Sequence, residues 1–168
     1  MFLTHFERGS GLPVSDFFRR FLDFFGLQPR HLPANAIVSL SAFSSLTEGY
    51  LGLCPTIEAS AKYFHLRKKT IPGSDPKVMA VCGSVSITPR NGSVFPRIQG
   101  LDTVKKWQRS FLYVKSAEGH DALNLPEFNI EPPFAELNFN YDPGDAFPEL
   151  QLMHNVLEDL LEHKLCTD

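Results

Sequence analysis

The sequence predicts an α+β domain: a mostly helical core of three to four helices, a small antiparallel β-hairpin or sheet, and an irregular acidic C-terminal strap ending in a helix. Three observations predict it. Apolar residues between Leu12 and Tyr50 recur at helical spacing. After Met79 the period shortens to that of strands. From Ser116 onward the period fades and acid, Pro and Asn take over until an amphipathic run closes the chain.

Gly9-Ser10-Gly11 ends a lead, residues 1–11, that reads as flexible. Ser15 then suits an N-cap, and Asp16 suits the positive end of a helix. Phe17, Phe18, Phe21, Leu22 and Phe25 form one face, with Arg19, Arg20 and Asp23 on the other. Gly26 is the natural stop, followed by Pro29. A second helix is expected from Ala34 to Tyr50, with Pro33 in the place of a first-turn proline. Ile37, Leu40, Phe43, Leu46 and Tyr50 line its inner face. Small residues fill most of the rest, which predicts enclosure on several sides. Pro55 to Leu66 reads as a third helix with Ile57, Ala61 and Phe64 inward.

Val81, Val85 and Ile87 read as a strand that Pro89-Arg90-Asn91-Gly92 terminates. Lys105 to Lys115 reads as its antiparallel partner, with Trp107, Arg109, Phe111 and Tyr113 alternating against Lys106, Gln108, Ser110 and Leu112. A two-stranded sheet is marginal alone, so it must lean on the helices. The strap should be anchored by Leu123, Leu125, Phe128 and Phe134. The last helix, Phe147 to Leu165, turns Leu150, Met153, Leu157 and Leu160 inward and Glu158, Asp159 and Glu162 outward.

The organisation expected is a single domain: the lead, a basic body over residues 12–115, and an acidic strap and helix over residues 116–168. Residues 1–115 hold 15 Lys/Arg against 7 Asp/Glu, and residues 116–168 hold 1 against 12, within a net charge of −3. The 15 Phe give the core its character, since each aromatic buries roughly 150–250 Å². The 3 Cys, at positions 54, 82 and 166, are far apart and odd in number, and do not read as a disulfide framework. No apolar run reaches the roughly 20 residues that span a bilayer. The first residues lack the order of a signal peptide. The expected location is intracellular, cytoplasmic or nuclear, and neither secreted nor membrane-bound.

The strings Ser15-Asp16-Phe17-Phe18, Phe24-Phe25-Gly26-Leu27-Gln28-Pro29 and His31-Leu32-Pro33-Ala34-Asn35-Ala36-Ile37 occur together. Leu40-Ser41-Ala42-Phe43, Glu48-Gly49-Tyr50-Leu51-Gly52, Tyr63-Phe64-His65-Leu66-Arg67 and Lys106-Trp107-Gln108-Arg109-Ser110-Phe111 follow. In combination they resemble the gypsy-type transposon domain of plants, grasses especially, over roughly residues 6–165. The resemblance implies a retrotransposon-derived protein. That family usually has residues upstream and a longer protein downstream, so the chain resembles a fragment or a degenerate copy. Where members tend to have a Trp shortly after the Pro55 position, this chain has Ala59-Ser60-Ala61, which predicts looser packing. The family brings no catalytic residues to transfer.

The motifs of retroelement enzymes are missing. Asp102-Thr103 is followed by Val104, so the aspartic-protease turn is not formed. Glu158-Asp159 sits on a solvated helix face rather than at a metal centre. The spacing of Cys and His fits no local zinc module. Gly83-Ser84-Val85-Ser86 lacks the last Gly of a nucleophile elbow, and no glycine-rich phosphate loop occurs. The expectation is therefore a non-enzymatic structural or protein-interaction domain, with no catalytic residue, no metal, no cofactor and no small-molecule substrate. Its partner would be another protein or a second copy.

The alternative is a nucleic-acid-binding module around Lys62–Lys69 and Lys105–Lys115. Lys68, Lys69, Lys105, Lys106 and Arg109 would meet phosphates, and Trp107 and Tyr113 would stack on bases. Against it stands the plainer reading of these cations as solubilising charge, or as a match for the chain's own acidic third.

Overall fold

The computed structural model describes residues 1–69, 73, 83–96, 98, 106–115, 123–126, 141–144 and 148–162. Helix α1 is Leu3–Glu7, α2 is Asp16–Phe24 and α3 is Ala34–Ser44, which continues as a π-helical turn over Ser45–Tyr50. Helix α4 is Ile57–Tyr63, strands β1 and β2 are Phe64–Lys68 and Val85–Pro89, and helix α5 is Pro148–Glu162. Short 3₁₀ turns lie at Pro29–His31 and Trp107–Arg109. The α+β class holds, with a helical core, a small antiparallel sheet and a C-terminal helix.

Helix α2 forms as its sequence dictates. The Ser15 hydroxyl accepts from the Phe18 N–H at 3.2 Å. Phe17, Phe18, Phe21 and Leu22 are buried, while Arg19 and Asp23 pair across one turn at 2.7 Å on the outside. Gly26 takes φ +59°. Its N–H donates to the Asp23 carbonyl at 3.2 Å, and the Leu27 N–H donates to the Leu22 carbonyl at 2.7 Å. This pair of bonds is a Schellman cap, and buried Leu22 and Leu27 accompany it.

Helix α3 is buried on several sides through Ala34, Ala36, Ile37, Ser39, Leu40 and Phe43. Phe43 is fully buried at the centre of the aromatic core, 5.4 Å from Phe17, 6.3 Å from Phe64 and 6.2 Å from Phe95. The end of this helix corrects the expected face. Tyr50 is 64% exposed, and Thr47 is buried instead. The Thr47 hydroxyl donates to the carbonyls of Phe43 and Ser44, at 2.8 and 3.1 Å. The Leu51 N–H reaches back to the Leu46 carbonyl, closing a π turn. The wider turn rotates Tyr50 out of the inner face.

The third helix ends earlier than its sequence suggests. Thr56 caps it through the Ala59 N–H at 3.1 Å, and Ala59, Ser60 and Ala61 are buried. Phe64 to Leu66, expected as its last turn, belongs instead to strand β1, Phe64–Lys68. Phe64 and Leu66 alternate as buried residues with less buried His65 and exposed Arg67. The strand β1 pairs antiparallel with β2, placing Leu66 opposite Ile87 and Lys68 opposite Val85. The hairpin expected between residues 81–87 and 105–115 is thereby overturned for its described residues. Residues 106–115 form no strand of the sheet; Lys106 adopts a left-handed φ of +62° and turns the chain into the 3₁₀ turn. The sheet leans on α3, as a two-stranded sheet must.

The lead carries α1, whose His5 is fully buried. Leu123 and Leu125, two of the expected anchor positions, meet the body of the chain. The Leu123 carbonyl accepts from Val14 N–H at 3.2 Å, and the Asn124 amide donates to the Val14 carbonyl and the Asp16 carboxylate, both at 3.0 Å. Leu125 packs against the core. Helix α5 buries Met153 and Leu157 and leaves Glu158, Asp159 and Glu162 exposed, as expected. Val81, Phe128, Phe134 and Phe147, and the side chains of Leu150 and Leu160, lie outside what the structure describes.

Candidate interaction surface

Residues 106–115 gather on α1 through one aromatic anchor. The Trp107 ring lies 4.7 Å from Phe2 in an edge contact and 5.6 Å from the His5 ring. It also rests on Gly83: a Cβ there would come within 2.8 Å of the indole, and Gly83 holds φ +67°. Trp107 is thus half-buried and serves packing as much as any ligand.

His5, against this ring, and His31 are two buried histidines. The His5 Nε2 donates to the Leu32 carbonyl at 3.0 Å, which leaves Nδ1 as a bare acceptor with no partner among the described residues. The His31 Nδ1 accepts from the Gln28 N–H at 3.0 Å. Burial holds the pKa of each ring down to about 4, and the Arg30 guanidinium beside His31 adds to its shift. Both rings are neutral near pH 7. They are ordered by backbone partners, an arrangement that suits packing rather than proton transfer.

After the 3₁₀ turn the backbone is extended at Ser110, and the peptide that follows is open. Phe2 and Phe111 form an antiparallel bridge. The Leu3 N–H donates to the Ser110 carbonyl at 2.9 Å, and the Leu112 N–H to the Met1 carbonyl at 2.8 Å. Beyond this short ladder the apolar side chains face outward: Phe111 is 55% exposed, Leu112 45% and Tyr113 94%. Val114 and Leu3 are exposed as well. The Phe111 and Tyr113 rings meet edge to face at 5.5 Å.

Of the expected nucleic-acid residues, Lys68, Lys69, Lys106, Arg109 and Tyr113 are exposed, and Trp107 is half-buried. Lys105 lies outside the described residues. Lys69 and Trp107 line one pocket of about 270 Å³, which Pro33–Ala36 and Ser86–Thr88 complete. Tyr113 does not line it. A second pocket, about 290 Å³, lies between Gly9–Gly11 and the facing sides of α2 and α3. The sequence reading missed the strip Phe111–Val114 as a surface. The sequence shows the four apolar residues as an unbroken run between Arg109 and Lys115, a pattern that fits a buried segment equally well, so their exposure was not readable from it.

Cys54 is a free, exposed thiol, and Cys82 and Cys166 lie outside the described residues. Among the described residues no three His, Cys, Asp or Glu come together as a metal site, and no helix is long and apolar enough to cross a membrane.

The geometry defines an α+β domain with an aromatic core and an open apolar edge. Residues 1–68 match the model of a family described as putative gypsy type transposon. The segment from α1 through β1 therefore carries that family's pattern, while the string from Lys106 to Phe111 lies beyond the matched residues. No curated protein and no solved structure gives a significant match to the chain.

Proposed function

We propose that the chain is a non-enzymatic protein-interaction domain of a plant retrotransposon-derived, gypsy-type protein, working inside the cell. One observation carries the reading: the strip Phe111–Val114 is exposed while most of the chain's other aromatic and aliphatic residues described are buried or half-buried. Contiguous apolar surface of this kind is where soluble domains meet partners. The test is crosslinking capture from plant-cell extract with the wild-type chain and an F111S/Y113S variant. Wild type should recover a reproducible partner set that the variant loses. Equal recovery by both, or none by either, would end the reading.

Nucleic-acid binding is the second reading, favoured by the pocket that Lys69 and Trp107 share. An indole beside a cation suits a stacked base and its phosphate. Anisotropy of labelled single-stranded RNA at low salt decides it. Binding should weaken with Lys69→Glu and with rising salt; no signal at tens of micromolar protein rules it out.

A further inference from the structure

We propose that the free edge of Phe111–Val114 takes an extended acidic peptide as an added β-strand. This rests on the protein-interaction reading and names the chemistry of the partner.

The backbone argues first. The Ser110 carbonyl and both backbone groups of Leu112 direct their hydrogen bonds toward Met1–Leu3. In an extended chain the intervening residues point their N–H and C=O groups to the opposite edge. Phe111 and Tyr113 are those residues, and their backbone groups make no hydrogen bond among the described residues. Such an edge offers donors and acceptors in alternation, which another peptide can match. A phosphodiester backbone has acceptors only and cannot continue the ladder.

The side chains argue next. Phe111 and Tyr113 stand together on one face, and Leu112 and Val114 fall on the other by the two-residue period. An added strand would find apolar cross-strand neighbours on both faces.

Charge selects among peptides. Lys106 and Arg109 precede the strip and Lys115 follows it, with no Asp or Glu between Thr103 and Ala117. Lys106, Arg109 and Lys115 make no ion pair among the described residues. Acidic residues flanking an apolar centre would complement them. A second copy would not: two such strips paired antiparallel about Leu112 would set Arg109 opposite Lys115 of the other copy, a repulsive pair at each end.

The test is a titration of the full chain with a labelled short peptide that carries Val and Phe at its centre and Glu at both ends. Its N-methylated form lacks the backbone donors, a Lys-for-Glu form reverses the charge, and single-stranded RNA is a competitor. The acidic peptide should bind saturably. Affinity should fall at least about tenfold on N-methylation, and equally in Tyr113→Pro, which removes a free-edge N–H without touching the Met1–Leu3 ladder. The R109E/K115E variant should prefer the Lys peptide. Equal binding of the N-methylated peptide, equal binding of the Lys peptide to wild type, dimerisation that blocks the peptide, or displacement by RNA would each overturn the proposal. So would no peptide binding at all; if F111S/Y113S still loses its partners in that case, the interaction reading survives and only the peptide chemistry fails.

Discussion

His5 shows how a polar residue can serve a core. It is fully buried and neutral, and its one ring N–H is spent on the Leu32 carbonyl. Its pKa is held down to about 4 against 6.5 in an unfolded chain. Between those values the unfolded state binds more protons than the folded one. Stability is therefore fully present above pH 6.5 and is lost as pH falls toward 4. For His5 the loss is on the order of 3 kcal/mol, and His31 acts in the same direction. Urea midpoints should drop steeply across that window. In His5→Gln, which keeps a donor for Leu32, the midpoint at pH 7 should fall slightly and the slope with pH should lessen. An unchanged slope would mean that other groups titrate. Gly83 is the second telling position. Gly83→Ala meets both a left-handed φ and the indole at 2.8 Å, so a loss of about 2 kcal/mol is expected. Trp107 is the chain's only Trp, and its emission should shift red as the ring is displaced. A native spectrum and midpoint in this variant would remove Gly83 as the seat of the anchor.

At the scale of elements, legibility tracked how much of each one is decided locally. Helix α2 has its cap, its apolar stripe and its glycine stop within a dozen or so residues, and all three were readable. The edges of α3 and α4 were not. Phe64 sits three residues after Ala61, as a helix requires, and two before Leu66, as a strand requires; only pairing with β2 decides between them. The same ambiguity made residues 105–115 read as a strand, although what organises 106–111 is non-local: Trp107 on Gly83, and Phe111 against Phe2. Of the candidate surface, the cations and Tyr113 were visible as exposed residues. The openness of Phe111–Val114 was not, because exposure depends on what fails to pack there. The π turn is a case where one hydroxyl sets an element. Thr47→Val keeps the shape and removes both bonds to the Phe43 and Ser44 carbonyls. It should cost about 1 kcal/mol and move the carbon chemical shifts of residues 45–50 toward ordinary α-helix. Unchanged shifts would show that packing, rather than the hydroxyl, holds the wide turn.

On the scale of the whole molecule, the family-matched segment and the core do not coincide. Residues 1–68 supply α1 to α4 and β1, yet the same core contains Val85, Ile87, Phe95, Met153 and Leu157 from later in the chain. Val85 and Leu157 are fully buried. Without β2, strand β1 would leave its ladder unpaired and the inner side of Leu66 bare. Without residues 83–107, His5 and Phe2 would lose the indole that covers them. Arg90 binds the parts together: its guanidinium donates to the carbonyls of Ala61, Phe64 and Tyr141, at 2.6, 3.3 and 2.8 Å. Two of those carbonyls belong to the matched segment and one to the acidic third. A peptide of residues 1–68 should therefore keep some helix but show no cooperative urea transition and little amide dispersion. The full chain should show both. Adding residues 83–162 as a separate chain should restore dispersion if the later elements supply only packing. A cooperative transition in the isolated 1–68 peptide would instead mark it as a domain in its own right, with the later elements docked on a core already complete.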